Sequence, residues 1–275
     1  MLAEGDAPYC VILKRPEGFD FPELSAAVSG VLQIPPAEAA SRLRRTWGIL
    51  MKTADQGFAR NFCRRLAAGG FDTVIVPAPE LRPLPEVKAI KKASLSERGL
   101  SIAGAMGGEA EIPWGAFAPC LVCAGSFLID DGQGSAVKET LQEGPGLSDI
   151  VKGVAIMAVT GIPSFGKLKP KEEKAAPRQR TVFYLDIISR VPAFRVCGDS
   201  FDYSYLGGRK EYSSLLNFRK LANDVLSFLP GAVRSRGAAA LAVPVAPAPG
   251  AFGTGFRYSG MEDYEAERFW LWQLV

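Results

Sequence analysis

The chain has 275 residues, 48% hydrophobic and 22% charged, the balance of a soluble globular protein with room for one large domain or two ordinary ones. Its net charge of +3 is far below the basic bias of a dedicated nucleic-acid binder. It contains no histidine, which excludes Ser-His-Asp and Cys-His triads within the chain and removes the commonest metal ligand.

The five cysteines lack the dense, even usage of a disulfide-stapled secreted fold. The opening MLAEGDAPYC is acidic and lacks a basic region followed by an apolar core, so no signal peptide is expected. The longest apolar run, VAIMAVTGIP from Val154, is about half the length of a ~20-residue membrane span. These features place the chain in a reducing cytoplasm.

YCVIL, Tyr9 to Leu13, is predicted to be a strand. Asp20 is a cap for a helix from Phe21 to Leu32, with Leu24, Val28 and Leu32 at helical spacing. Pro35 and Pro36 stop it, and Pro36 suits the first turn of a second helix, with Glu38 near its start and Arg42, Arg44 and Arg45 near its end. WGILM is a second strand. Thr53 or Asp55 caps a third helix with Phe58, Phe62 and Leu66 on one face and Arg60, Arg64 and Arg65 on others. Gly69 and Gly70 end it, and TVIVP is a third strand. The order is β-α-α-β-α-β.

With VILK in the first strand (Val11 to Lys14), Glu38-Ala39 in the second helix and Leu66 before a glycine turn, this region resembles the C-terminal domain of the large-subunit ribosomal stalk protein, a fold shared with the Clp-protease adaptor. The resemblance covers about Tyr9 to Val76. Where the stalk family carries lysines that help dock translation factors, this chain has Ala37 and Ala40. The resemblance therefore implies the shape without that contact chemistry.

Residues 81–86 read as a stiff polar linker. From 87 onward strands with glycine-rich turns are predicted through VKAIKKASLSERGLSIAGA and EAEIPWGAFAPCLVCAGSFLI, then TVFYLDIIS, AFRVC and FDYSYLG. A short helix is expected near Leu147 to Val159. SSLLNFRKLANDVLSFLP is an amphipathic helix with Leu215, Phe218, Leu221, Val225 and Phe228 in one stripe, capped by Ser213 or Ser214. Several strands, IPW opening one of them, and a closing helix resemble a bacterial PH-like domain over residues 87–230, with a flexible insertion at 130–179. Residues 231–260, rich in Ala, Pro and Gly, read as a linker, and 261–275 as an aromatic tail that docks on the body or on a neighbour. No internal repeat is present. The expected class is α+β: a small β-α-α-β-α-β domain followed by a mainly antiparallel, PH-like domain.

The chemistry-bearing patterns are weak. Cys120 and Cys123 form C-x-x-C, but no second pair and no histidine completes a zinc site, and a strand is the wrong setting for a redox pair. Buried structural cysteines are expected. GGEAE, DDGQGS and YLGGRK match no phosphate-binding fingerprint and read as turns. Asp130, Asp131, Asp199 and Asp202 are the acidic candidates, with GDSFDYSYLG read as a hairpin bearing an exposed acidic edge. Lys167, Lys169, Lys171, Lys174, Arg178 and Arg180 form a basic loop suited to solvent or to an anionic membrane. The arginines of the first domain read as a solvated surface or a patch for an acidic partner. Phe269, Trp270 and Trp272 are the sharpest binding candidates of the tail.

The sequence thus points to a non-enzymatic interaction or adaptor module with no catalytic residue, no metal and no cofactor. Its expected partner is a protein. Peripheral membrane association through the basic insertion is the alternative, and a cofactor-free enzyme using carboxylates is the third reading. Nucleic acid is disfavoured, and the oligomeric state is open.

Overall fold

The computed structural model describes residues 8–15, 20–103, 109–130, 179–242 and 256–275. The fold is α+β. Its first part follows the order read from the sequence: β1 (Tyr9–Leu13), α1 (Phe21–Leu32), α2 (Pro36–Thr46), β2 (Ile49–Thr53), α3 (Gln56–Ala68) and β3 (Thr73–Pro77). Local chemistry sets the boundaries. The Asp20 carboxylate accepts the Glu23 N–H at 3.1 Å and Asp55 accepts that of Phe58 at 3.0 Å, caps that each contribute about 1 kcal/mol. Gly70, at φ 84°, supplies the left-handed residue after α3. Phe58 departs from expectation. It lies at the first turn of α3, off the stripe of Ala59, Phe62 and Leu66, and remains 42% exposed.

β1 is central in a three-stranded sheet ordered β2-β1-β3, antiparallel to both neighbours. Side chains alternate between faces of a strand, yet Cys10 to Leu13 are all buried. Both faces of this sheet are therefore covered at its centre.

The next part contains β4 (Lys88–Ile90), β5 (Ala93–Leu95), β6 (Gly99–Ala103), β7 (Glu109–Pro113), β8 (Cys120–Asp130), β9 (Gln179–Ser189), β10 (Ala193–Cys197), α4 (Ser214–Phe228), β11 (Val233–Arg234) and α5 (Arg236–Ala242). β5-β6-β7 form an antiparallel sheet, and β11-β8-β9-β10-β4 a mixed one whose outer pairings, β4 on β10 and β11 on β8, are parallel. On one face of the mixed sheet Val122, Ala124, Leu185, Ile187, Phe194 and Val196 meet Phe218, Leu221 and Val225 of α4 in a single core. The stripe read for α4 is the one that packs, and Ser213 caps it.

Three local readings are corrected. FDYSYLG is a 3-10 turn from Tyr203 to Arg209, because Asp202 accepts the Ser204 N–H and Gly207 adopts φ 52°. IPW closes β7, with Trp114 starting a 3-10 turn, its indole donating to the Ser96 carbonyl. Residues 231–242 are strand and helix where a linker was expected: the Ser235 N–H donates to the Val122 carbonyl, and its hydroxyl accepts from Ala124 and Ala238. The helix expected near Leu147 to Val159 lies outside the described residues.

The largest difference concerns the tail. Residues 261–275 are built around a helix, α6 (Met261–Trp272), in which Tyr264, Glu267, Arg268, Trp270, Leu271 and Trp272 are buried. Residues up to Leu128 and from Thr181 onward make one compact unit, with Ile129–Arg180 as a second, of which only strand ends are described. The first unit spans both expected domains, the 81–86 stretch and α6.

Candidate functional site

α6 is the element that brings chemistry together. The second face of the mixed sheet carries Leu121, Cys123 and Phe127 on β8, Tyr184, Asp186 and Ile188 on β9, and Arg195 on β10. Seven consecutive residues of β8, Leu121 to Phe127, are buried, so this face is covered as well. α6 and the segment before it do the covering. A Cβ on Gly125 would come within 2.5 Å of the Tyr258 ring and 3.0 Å of the Tyr264 ring.

At the centre is Asp186, with no solvent exposure. Its cross-strand partner Arg195 donates Nε–H at 2.7 Å and Nη2–H at 2.8 Å in a bidentate pair. The Tyr264 hydroxyl donates at 3.0 Å. Arg268 Nε lies 3.0 Å from Oδ2, an ion pair whose N–H is not aligned as a hydrogen bond. Two guanidinium groups thus share one carboxylate.

A second set adjoins it. Glu267, 3% exposed, accepts the Arg236 backbone N–H at 2.8 Å and the Tyr258 hydroxyl at 2.6 Å. The Arg236 guanidinium stacks over Trp47 at 4.5 Å and Tyr258 at 4.1 Å, and lies 3.5 Å from Glu267 and 3.6 Å from Asp263. Asp263 and its backbone carbonyl accept the Trp47 indole N–H. Trp47 has φ 52° and ψ −122°, a conformation that costs of order 1–3 kcal/mol in a non-glycine residue and persists only where neighbours hold it. Asp186, Glu267 and Asp263 balance Arg195, Arg236 and Arg268, so the network has three charges of each sign.

Burial sets the protonation of this region. It raises the Glu267 carboxyl, against the Arg236 N–H and the Tyr258 hydroxyl, which favour the charged form. It holds the Tyr258 and Tyr264 phenols well above their ordinary range, so both remain neutral donors. It pushes Cys120 up to about 11 and Cys123 well above a free thiol. These are protonated, buried cysteines on a strand, and among the described residues no group of three or more Cys, Asp or Glu could hold a metal.

The other end of α6 meets the first part of the chain. Trp270 is 1% exposed and its indole donates to the Leu13 carbonyl at 2.9 Å. Trp270 also fills the space beside Gly48, where a Cβ would lie 1.8 Å from the ring. Trp272, 3% exposed, donates to the Pro83 carbonyl, and Gln273 exchanges hydrogen bonds with the Arg82 backbone. Arg82 and Pro83, within the stretch read as a linker, thus dock the end of α6.

Of the binding candidates, Trp270 and Trp272 are interior, Phe269 is half-buried and Arg180 is exposed. Lys167, Lys169, Lys171, Lys174 and Arg178, like Asp131, lie outside the described residues. Asp199 is exposed in a turn, and Asp202 caps its own turn and pairs with Lys92 at 3.5 Å. The residues that sequence reasoning missed are Asp186, Arg195, Arg236, Glu267 and Arg268. The available signal was an aspartate inside the apolar strand run TVFYLDIIS and an arginine inside ERFWLW.

Two surface depressions are open. One, about 660 Å³, lies between Ser41, Arg44 and Arg45 of α2 and Ser259 to Asp263 at the start of α6. The other, about 300 Å³, is lined by Phe127, Leu128, Phe183, Leu215 and Phe256 together with Ser126, Thr181 and Arg257. Leu128 in its lining is 41% exposed. No described helix is long and apolar enough to cross a membrane. No family model, no curated protein and no solved structure matches the chain.

Proposed function

We propose that this protein is a binding or adaptor module that takes up an apolar side chain of a protein partner. The observation that carries this reading is the open groove between the β8–β9 strands and α4. Five apolar side chains face it, Leu128 remains exposed at its wall, and Arg257 stands beside it to favour a neighbouring carboxylate on the partner. Apolar pockets with a few polar groups at the edge are the usual form of such sites. The buried charges under α6 support the same reading, because each is engaged with another group of the fold.

The test is capture from native extract with the wild-type chain and with the groove variants Leu128→Asp and Arg257→Glu. Both residues are exposed, so the variants retain the wild-type melting temperature. A partner held by the wild type and lost by both variants supports the groove. Partners retained by both variants remove it. Recovery of the chain on anionic but not neutral liposomes, unchanged by either substitution, favours the membrane reading built on the basic stretch Lys167 to Arg180.

A further inference from the structure

We propose that the solvent face of α3 is a second docking surface, independent of the groove, for an acidic segment of a protein. α3 carries Arg60, Arg64 and Arg65 and no acidic residue from Gln56 to Ala68. Its buried stripe is Ala59, Phe62 and Leu66. At about 100° per residue, Arg60 and Arg64 fall on the opposite side with Gly57, Asn61 and Ala68, while Arg65 and Phe58 lie on one flank. All of these are exposed.

On α2, Arg42 meets Glu38 one turn away at 2.6 Å. On α3 the residue one turn from Arg60 is Arg64, and like charges at that spacing destabilise a helix by about 0.2–0.5 kcal/mol. Arg65 is used by the fold, since it donates to the Gly30 and Val31 carbonyls at the end of α1, and Arg60 reaches Gln56. The Arg60–Arg64 juxtaposition brings the fold no gain, so its field is directed outward.

The occupant that fits is a carboxylate-bearing peptide. Two arginines whose backbone positions are about 6 Å apart along the axis match acidic side chains one helical turn apart. Phe58, on the flank with Arg65, stands apart from this pair, so the contact is one of charge. A nucleic-acid backbone would need the basic track to continue, but Asp55 precedes the helix and Asp72, paired with Lys14 at 3.1 Å, follows it.

The experiment is fluorescence anisotropy at low salt with the full chain and two probes. One is a helical peptide carrying glutamate pairs four residues apart, and the other is a single-stranded RNA of equal net charge. The peptide is expected to bind in a salt-sensitive manner. Arg64→Glu, which turns a repulsion into an attraction, is expected to cost roughly tenfold in affinity while the melting temperature holds or rises. Arg44→Glu on α2 and Leu128→Asp in the groove should leave peptide binding unchanged. The proposal fails if the peptide does not bind, if Arg64→Glu has no effect or lowers the melting temperature, if either control abolishes binding, or if the RNA binds more tightly.

Discussion

α6 makes two different interfaces. Toward the first sheet it offers Trp270, packed over Gly48 and hydrogen-bonded to the Leu13 carbonyl, a contact of shape and neutral dipoles. Toward the mixed sheet and α5 it offers Tyr264, Glu267 and Arg268 to Asp186, Arg195 and Arg236, a contact of charges taken out of water. Apolar packing degrades gradually when atoms are removed. A buried ionic set adds little net stability when complete but is costly when one member is lost, because the remaining charges stay buried without a partner. One helix thus docks through two mechanisms with different responses to substitution and pH.

Removing both interfaces at once is expected to have the largest effect. Deletion of residues 261–275 exposes the second face of the mixed sheet and the Gly48 side of the first. The cooperative thermal transition should be lost, as read by circular dichroism. A truncated chain that melts like the full one would show the tail to be dispensable. Asp186→Ala comes next. It leaves Arg195 and Arg268 without their shared carboxylate and should cost about 3–5 kcal/mol, measured by chemical denaturation. Gly48→Ala perturbs the other interface alone. A methyl 1.8 Å from the Trp270 ring forces the indole or the backbone to move, at a cost of about 1–3 kcal/mol. If Gly48→Ala proved worse than Asp186→Ala, the ranking of the two mechanisms would reverse.

The smallest effect separates them by pH. Glu267 has its carboxyl raised by burial, so the folded state holds that proton more tightly than the unfolded chain. Its contribution to stability is present at low pH and is lost as pH rises from the ordinary glutamate range through the raised value, then stays constant. Melting temperature against pH for the wild type and Glu267→Gln should therefore converge on the acid side and differ above it, with the wild type showing the additional fall. Gly48→Ala should shift the whole curve without changing its shape.

How much of this was legible depended on how local the signals were. Asp20, Asp55 and Ser213 act within one turn of chain, so the start of α1 was readable to the residue, and those of α3 and α4 to a choice of two caps, Thr53 or Asp55 and Ser213 or Ser214. α6 hid its nature because it is buried on more than one side. A helix with buried Tyr264, Glu267, Arg268, Trp270, Leu271 and Trp272 has no clean polar face to betray its period. FDYSYLG misled through the strand propensity of its aromatics, which the Asp202 cap and the positive φ of Gly207 overrode. The ionic network was invisible for a different reason. Its members come from β9, β10, α5 and α6, and only the folded topology makes them neighbours. The groove likewise joins Leu128, Leu215 and Phe256, which no spacing rule connects.

The sharing of one carboxylate by two guanidinium groups has a consequence for how this protein can change over generations. Asp186 cannot drift alone, since either arginine would then be stranded, and neither arginine can become acidic beside it. Replacement of all three by well-packed apolar side chains leaves no stranded charge and is the permitted end state, although each single step toward it is costly. Related sequences should therefore show positions 186, 195 and 268 switching as a linked set, with mixed combinations scarce.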